Sequence, residues 1–354
     1  MDENLVASII IVTYNSVGTV RECLRSVQAF THSTYEVIIC DNASSDDTVN
    51  IISSVLPQAK LVRNTENLGF AAANNLGASQ ASGRVLAFIN PDLYVSENWF
   101  EPLLACLESD PHVATASPAI RHLANLEPIA AIGNQIYLSG LTYLQKYKPA
   151  ATGEVETLIT AFSGACFIIE RQLFDQVGGF CKDHFLYYED TDLSIRLSML
   201  GLKHLALPAV TVTHDYHPSF TANKIFYLER NRYLTNLSLY PVWALVVTLP
   251  SIILSELMIW VFCLLKGKVY LDAKSLACVD FFKKKAWLQE RRRHFRGPQR
   301  VSDNWLAGLS PFINLQYLKS GFISHVTEAV LYIVALPFVG LIRLVILLFK
   351  ARKS

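Results

Sequence analysis

Five apolar residues, Val85 to Ile89, run without interruption and are stopped at once by Asn90, Pro91 and Asp92. A run that short and that oily reads as a strand buried on both faces. Pro91 has no N–H to give to a sheet ladder, so the chain must leave the sheet there. Asp92 is therefore expected at the carboxyl edge of a central strand, where open α/β sheets bind their ligands. A carboxylate there, beside an amide, suits a divalent cation carrying phosphate oxygens. It suits equally well the cap of a helix starting near Ser96.

The flanking sequence repeats the theme. Residues 8–13 and 36–41 are short β-branched runs that close on polar side chains, and between them Val17, Val20, Leu24 and Val27 recur at helical spacing. Asp46 or Asp47 is placed to cap a second helix. A strand near 60–63, a helix over 70–79 and the Val85 strand complete a β-α-β-α-β alternation, which predicts a parallel sheet with right-handed crossovers and loops gathered at one edge. A helix over 99–107 and a strand over 113–117 continue it. Residues 118–157, rich in Pro and Gly, read as a loop-rich excursion. Order returns at 162–170, at Gly178-Gly179-Phe180, in a helix over 190–200 and in a strand over 210–213 that runs into His214.

Charged residues make up 17% of the 354 and hydrophobic ones 51%, an oily balance whose excess lies toward the C-terminal end. Residues 241–265 carry Glu256 as their only charge, and 329–349 are apolar apart from Arg343. Both are long enough to be membrane candidates. Between them, residues 266–300 hold eleven Lys/Arg against Asp272, Asp280 and Glu290, a stretch with Phe281, Phe282, Trp287 and Phe295 interleaved. Carrying that loop across a bilayer opposes the positive-inside rule. The expectation is therefore of broken or in-plane helices, interrupted at Pro250 and Pro337, with the basic stretch on anionic headgroups. Seven scattered cysteines without a Cys-x-x-Cys spacing indicate a reducing compartment and no disulfide frame or zinc site. Acidic Asp2 and Glu3 stand where a secretion signal would be basic, so the N-terminal part is expected in the cytoplasm. No feature points to nucleic acid.

Four constellations could carry chemistry. Thr13-Tyr14-Asn15 and Asp41 end adjacent strands, where Asp41 can accept from a base N–H and Tyr14 can offer a ring face; ordinary turn chemistry explains the same residues. Asn67 and Gly69, with Asn75 further on, open a helix whose N-terminus suits a nucleotide. Glu189, Asp190 and Asp192 crowd a helix start, a capping pattern that is also the setting of a tuned general base. His214, next to Asp215, follows a late strand of the same sheet and is a candidate partner for a metal on Asp92.

Taken together, Ser-Ile-Ile-Ile-Val-Thr-Tyr-Asn, Cys-Asp-Asn-Ala-Ser-Ser-Asp-Asp-Thr, Asn-Leu-Gly-Phe-Ala-Ala-Ala-Asn-Asn, Asn-Pro-Asp, Gly-Gly-Phe, Tyr-Glu-Asp-Thr-Asp-Leu and then His214 resemble the ordered motifs of family 2 glycosyltransferases, nearest to their rhamnosyltransferase-like branch. The resemblance covers roughly residues 5–235. It implies an α/β, GT-A fold (a Rossmann-like, mostly parallel sheet flanked by helices), an inverting reaction and a nucleotide-sugar donor such as dTDP-rhamnose or a UDP-sugar. Residues 1–225 would form the catalytic domain and 226–354 a membrane-associated helical region. It also implies that Thr13, Tyr14, Asn15, Asp41, Asn67, Gly69, Asn75, Asn90 and Asp92 line the nucleotide site. Asp92 and His214 would hold Mg2+ or Mn2+, and Asp190 would be the base with Glu189 and Asp192 in support. Asn90 stands where the family's metal motif has its first aspartate. Cys181-Lys182 replaces acidic residues after Gly-Gly-Phe, and no Gln-x-x-Arg-Trp follows the base, as in single-addition enzymes. The oily C-terminal region points to a lipid-linked glycan acceptor at the cytoplasmic membrane face. Two other classes stay open: a catalytically weak binding or scaffold subunit of a glycan assembly complex, which Asn90 motivates, and a membrane-bound nucleotidyltransferase.

Overall fold

The structure is a computed structural model that describes residues 5–123, 131–147, 156–216, 220–297, 301–313 and 322–351. It packs as two compact units, one formed by residues 1–133, 144–197 and 202–218, the other by 134–143, 198–201 and 219–354.

The first unit is built on β1 (Ala7–Thr13), α1 (Val20–Phe30), β2 (Tyr35–Asp41), α2 (Thr48–Val55), β3 (Lys60–Arg63), α3 (Gly69–Ser79) and β4 (Val85–Ile89). β1 lies between β2 and β4, parallel to both, with Thr13 opposite Asp41 and Ile11 opposite Ile89. Every residue of β1 and β4 is buried, as β-branched runs covered on both faces must be. In α1 the buried positions are Val20, Cys23, Leu24 and Val27, one helical stripe. Val17, counted in that stripe from spacing alone, lies ahead of the helix and is 46% exposed. α3 sits close against the sheet because its inner face is small: a Cβ on Gly77 would come within 2.6 Å of Ile10.

After β4 the chain turns through Asn90–Leu93, with the Leu93 N–H donating to the Asn90 carbonyl at 3.2 Å. β5 (Leu93–Val95), α4 (Phe100–Ser109), β6 (Val113–His122), β7 (Ala131–Ile136), β8 (Thr142–Lys146), β9 (Thr157–Ile159), β10 (Cys166–Glu170), α5 (Arg171–Gln176), α6 (Glu189–Met199) and β11 (Lys203–His214) follow. The sheet order is β3-β2-β1-β4-β10-β6-β11-β5. β10 runs antiparallel to both β4 and β6, while β6 and β11 are parallel. On one side of this sheet Phe88 meets Phe167, Phe174 and Phe180 with ring centroids 4.9–5.3 Å apart.

The expected excursion over 118–157 is corrected in part. β6 continues to His122, and β7, β8 and β9 form strands there, while 124–130 and 148–155 lie outside the described residues. Pro118 hid this. It sits where the β6–β11 register shifts, a bulge that tolerates the missing N–H.

The second unit contains α7 (Ala222–Leu239), α8 (Val242–Lys266), α9 (Lys268–Lys283), α10 (Lys285–Arg296) and α11 (Phe322–Ala351). The basic stretch is therefore two helices rather than a loop. Nor are the apolar segments broken: α8 and α11 each continue through an internal proline, Pro250 and Pro337. A proline inside a helix removes one backbone bond, and packing against neighbouring helices can hold the helix through it. Glu256, the lone acidic residue of α8, is taken up by α7 and α9. It pairs with Arg232, accepts from the Tyr233 hydroxyl at 2.8 Å and meets Lys274 Nζ at 2.8 Å.

Candidate active site

The carboxyl ends of β1, β2 and β4 and the last residues of β11 gather most of the polar side chains that the sequence singles out. At the first two strands Thr13 Oγ1 donates to Asp41 Oδ1 at 2.9 Å. Asp41 also accepts from the Ser44 N–H (3.0 Å) and the Ser44 hydroxyl (2.6 Å). Its carboxylate, 2% exposed, thus shapes the 41–48 loop as well as facing the edge. Asn15, at φ 51°, accepts from the Ser45 N–H and locks the two loops together, which leaves Tyr14 52% exposed above them.

Asn42 donates to the Gly69 carbonyl at 3.3 Å, and Asn67 Oδ1 accepts from the Gly69 N–H at 2.9 Å. Gly69 has φ +80° and lies so close to Phe185 that a Cβ would come within 2.5 Å of its ring and carbonyl. Only glycine fits such a position. Asn75 reaches away from this edge: it donates to the Phe180 carbonyl and accepts from the Phe180 N–H, both at 2.8 Å.

Phe185 begins a strained segment. Phe185, Tyr187 and Tyr188 all have φ between 60° and 73°, a region that bulky side chains rarely occupy. The segment delivers Glu189 and Asp190 to the start of α6. Asp190 Oδ2 accepts from the Gly164 N–H at 3.0 Å, and Oδ1 accepts from the Thr191 N–H at 2.6 Å. Burial raises the Asp190 pKa above the usual 3.8, against the pull of those backbone donors. Burial, with the neighbouring Asp190 charge, pushes Glu189 up well beyond that range, and its Oε2 has no partner among the described residues. Glu189 is thereby biased to the neutral carboxyl. Asp192 is fully buried and bound to Arg196 at 2.7 Å; the same guanidinium donates to the Val177 and Gly179 carbonyls at 2.7 and 2.6 Å. That clamp fastens α6 to the Gly-Gly-Phe turn.

Gly164 is one residue from Ala165, whose carbonyl accepts from the Asn90 N–H at 2.9 Å. Asp190 and the Asn90-Pro91-Asp92 turn therefore adjoin the same short segment of backbone. Asp92 Oδ1 lies 3.0 Å from His214 Nε2, and the Asp92 carbonyl accepts from the Asp215 N–H at 2.8 Å. Oδ1 of Asn90 is buried without a partner among the described residues. The turn offers an aspartate oxygen and an amide oxygen and the end of β11 an imidazole nitrogen, donor types that fit Mg2+ or Mn2+. Among the described residues no group of three or more His, Cys, Asp or Glu is arranged to hold a metal.

The sequence reading missed several participants. His122 lies opposite His214 in the β6–β11 register, its ring centroid 6.2 Å away. Burial and the His214 charge lower its pKa. The Tyr94 hydroxyl donates to Asp215 at 3.2 Å. Gly164 holds the proposed base. His122 was concealed by the loop reading of 118–157, and nothing local marks Gly164.

Residues 8–178 match the family model described as "Glycosyl transferase family 2". The chain is 25% identical over 232 residues to the N-acetylglucosaminyl-diphospho-decaprenol L-rhamnosyltransferase of Mycobacterium tuberculosis (strain CDC 1551 / Oshkosh), covering 59% of this chain and 76% of that protein. The crystal structure of GalNAc-T7 with UDP, GalNAc and Mn2+ superposes with a TM-score of 0.58 at 19% identity, over 81% of this chain and 57% of that one. S. aureus TarS 1-349 in complex with UDP gives 0.53 at 17% identity, over 82% and 88%.

Proposed function

Because the chain carries a family 2 glycosyltransferase domain with the GT-A fold, and so works on a nucleotide-sugar donor, we propose that it moves a single sugar, with inversion, onto a hydroxyl of a lipid-linked glycan at the cytoplasmic face of a membrane. Residues 1–225 would be the catalytic domain and 226–354 the membrane-associated region. The observation that carries this reading is Asp190, a carboxylate of raised pKa held by the Gly164 N–H beside the Asn90-Pro91-Asp92 turn. A partly desolvated carboxylate suits the abstraction of a hydroxyl proton.

In the proposed reaction Asp190 takes the acceptor proton as the acceptor oxygen attacks the anomeric carbon opposite the nucleotide. Tyr14, Asn15 and Asp41, with Thr13 holding Asp41, border the nucleoside; Asn67, Gly69 and Asn90 lie along its diphosphate side. Asn75 and Asp192 act through the backbone they hold, and Glu189 supports the base from the adjacent position at the start of α6. Asp92 and His214 would hold Mg2+ or Mn2+, which supplies charge neutralisation for a departing diphosphate. A rhamnosyl donor and a polyprenyl-diphosphate acceptor are favoured by the name of the mycobacterial relative. Membrane attachment is favoured by the two apolar helices.

The test is transfer from dTDP-rhamnose and a panel of UDP-sugars to a synthetic polyprenyl-diphosphate-linked N-acetylglucosamine, with product anomer read by NMR. Asp190→Asn is expected to lower turnover by about 10²–10⁴-fold while nucleotide binding by calorimetry persists. Near-normal turnover in that variant overturns the assignment of the base.

A further inference from the structure

α8 is inside out. Its buried positions are mainly small or polar, among them Ala244, Thr248, Ser251 and Ser255, while Val246, Ile253, Leu257 and Leu264 are each more than half exposed. A helix of a water-soluble fold reverses that arrangement, and small residues at helix contacts with large apolar ones outside are the pattern of helices surrounded by lipid. α11, which packs along α8, is apolar on both sides: Leu331, Ala335, Val339, Ile342 and Ile346 are buried, while Ile333 and Leu347 are more than 60% exposed.

The path of α8 decides how it meets that lipid. It leaves α7 at Tyr240-Pro241, and near its far end Ile259 and Cys263 pack with Ile225, in the first turn of α7. Midway, Glu256 joins Arg232 of α7 and Lys274 of α9. With α9 packed against both, α8 therefore runs antiparallel to α7. α9 and α10 return beside it: the Tyr270 hydroxyl donates to the Phe220 carbonyl ahead of α7, and Arg292 and Arg296 donate to the Leu237, Tyr240 and Leu239 carbonyls at its end. If α8 crossed a bilayer, α7, α9 and α10 would share its depth, with Lys268, Lys283, Lys285 and Arg293 exposed. Charges at that depth are strongly disfavoured.

We propose that α8 and α11 do not cross the membrane but lie lengthwise in one leaflet, their outward Val, Leu and Ile side chains among the acyl chains. The occupant is the headgroup and acyl layer of a single anionic leaflet. Lys283 and Lys285, exposed next to a 73%-exposed Phe282, supply the complementary charge at its rim. This deepens the membrane association proposed above and rests on it.

The full-length protein is tested for flotation with phosphatidylcholine vesicles containing phosphatidylglycerol. In parallel, Asn50→Cys and Lys268→Cys are labelled with an impermeant maleimide in inside-out and right-side-out membrane vesicles of the expression host, against the unsubstituted protein. Flotation together with labelling of both cysteines from the same side is the expected result. Flotation with the two cysteines labelled from opposite sides overturns the single-leaflet arrangement and leaves membrane association standing. Failure to float overturns both. Ile253→Glu with Leu257→Glu, on the outward face, is expected to cut the floating fraction at least tenfold with an unchanged circular dichroism spectrum. Undiminished flotation of that folded variant overturns the assignment of the face.

Discussion

Replacing Arg196 by Leu separates a structural from a catalytic role for the acidic cluster at the start of α6. Arg196 is 4% exposed and Asp192 is fully buried. The guanidinium donates to Asp192 Oδ1, to the Val177 carbonyl and to the Gly179 carbonyl at 2.7, 2.7 and 2.6 Å. The substitution takes the guanidinium from a fully buried carboxylate. Breaking one side of a buried pair costs about 3–5 kcal/mol. In a domain of about 200 residues, where 1 kcal/mol moves Tm by roughly 2–4 °C, the expected fall is about 6–20 °C. Thermal unfolding of the purified full-length protein, with and without UDP, measures it. Turnover well below the new Tm should fall by less than about tenfold, far short of the loss for a general base. Asp192→Leu with Arg196→Met, which removes both charges, should recover much of the Tm, because neutral replacement of a buried pair is often tolerated. A drop in Tm below about 2 °C would sink the clamp. So would an Asp192→Asn protein that keeps its Tm and loses turnover.

Three further outcomes are expected. The rate should rise with pH on an acid limb displaced above the usual aspartate value of 3.8, because Asp190 works deprotonated and its burial raises its pKa; a limb at or below that value refutes the shift. By the same sign the folded state binds this proton more tightly than the unfolded chain, so the Asp190 contribution to stability declines as pH rises through the interval. Gly69→Ala forces a left-handed alanine against Phe185, and the clash with a 2.5 Å approach should cost about 2–4 kcal/mol in Tm-derived stability; a loss under about 1 kcal/mol means the loop yields freely. His214→Ala and Asp92→Ala should each weaken UDP binding in Mn2+ while leaving the metal-free affinity unchanged by calorimetry; equal losses with and without Mn2+ would remove the pair from metal binding.

Much of the scaffold could be read from local pattern. β-branched runs ending in polar residues placed β1, β2 and β4, and their parallel register follows from the helices between them. Pro91 marked the turn that sets Asp92 at the sheet edge, because a residue without an N–H ends a ladder wherever it stands. Gly69 was visible as a glycine at a helix start, although Phe185 as the reason for it was not. Pro118 misled the reading, since a proline at a bulge and one in a loop are alike in sequence.

Sequence by itself therefore determined the order of the strands' ends and which polar residues arrive there. Only the tertiary structure decided what each of them does on arrival. Asn75 binds Phe180 across 105 residues, Asp190 is held by Gly164 across 26, and His122 comes beside His214 through strand pairing. α8 was oily all round by composition, and which of its sides is small, polar and buried was decided by packing alone. Periodicity is a property of neighbours along the chain, whereas a hydrogen bond or a buried ion pair depends on which distant backbone folds back against it. No local signal specifies that partner.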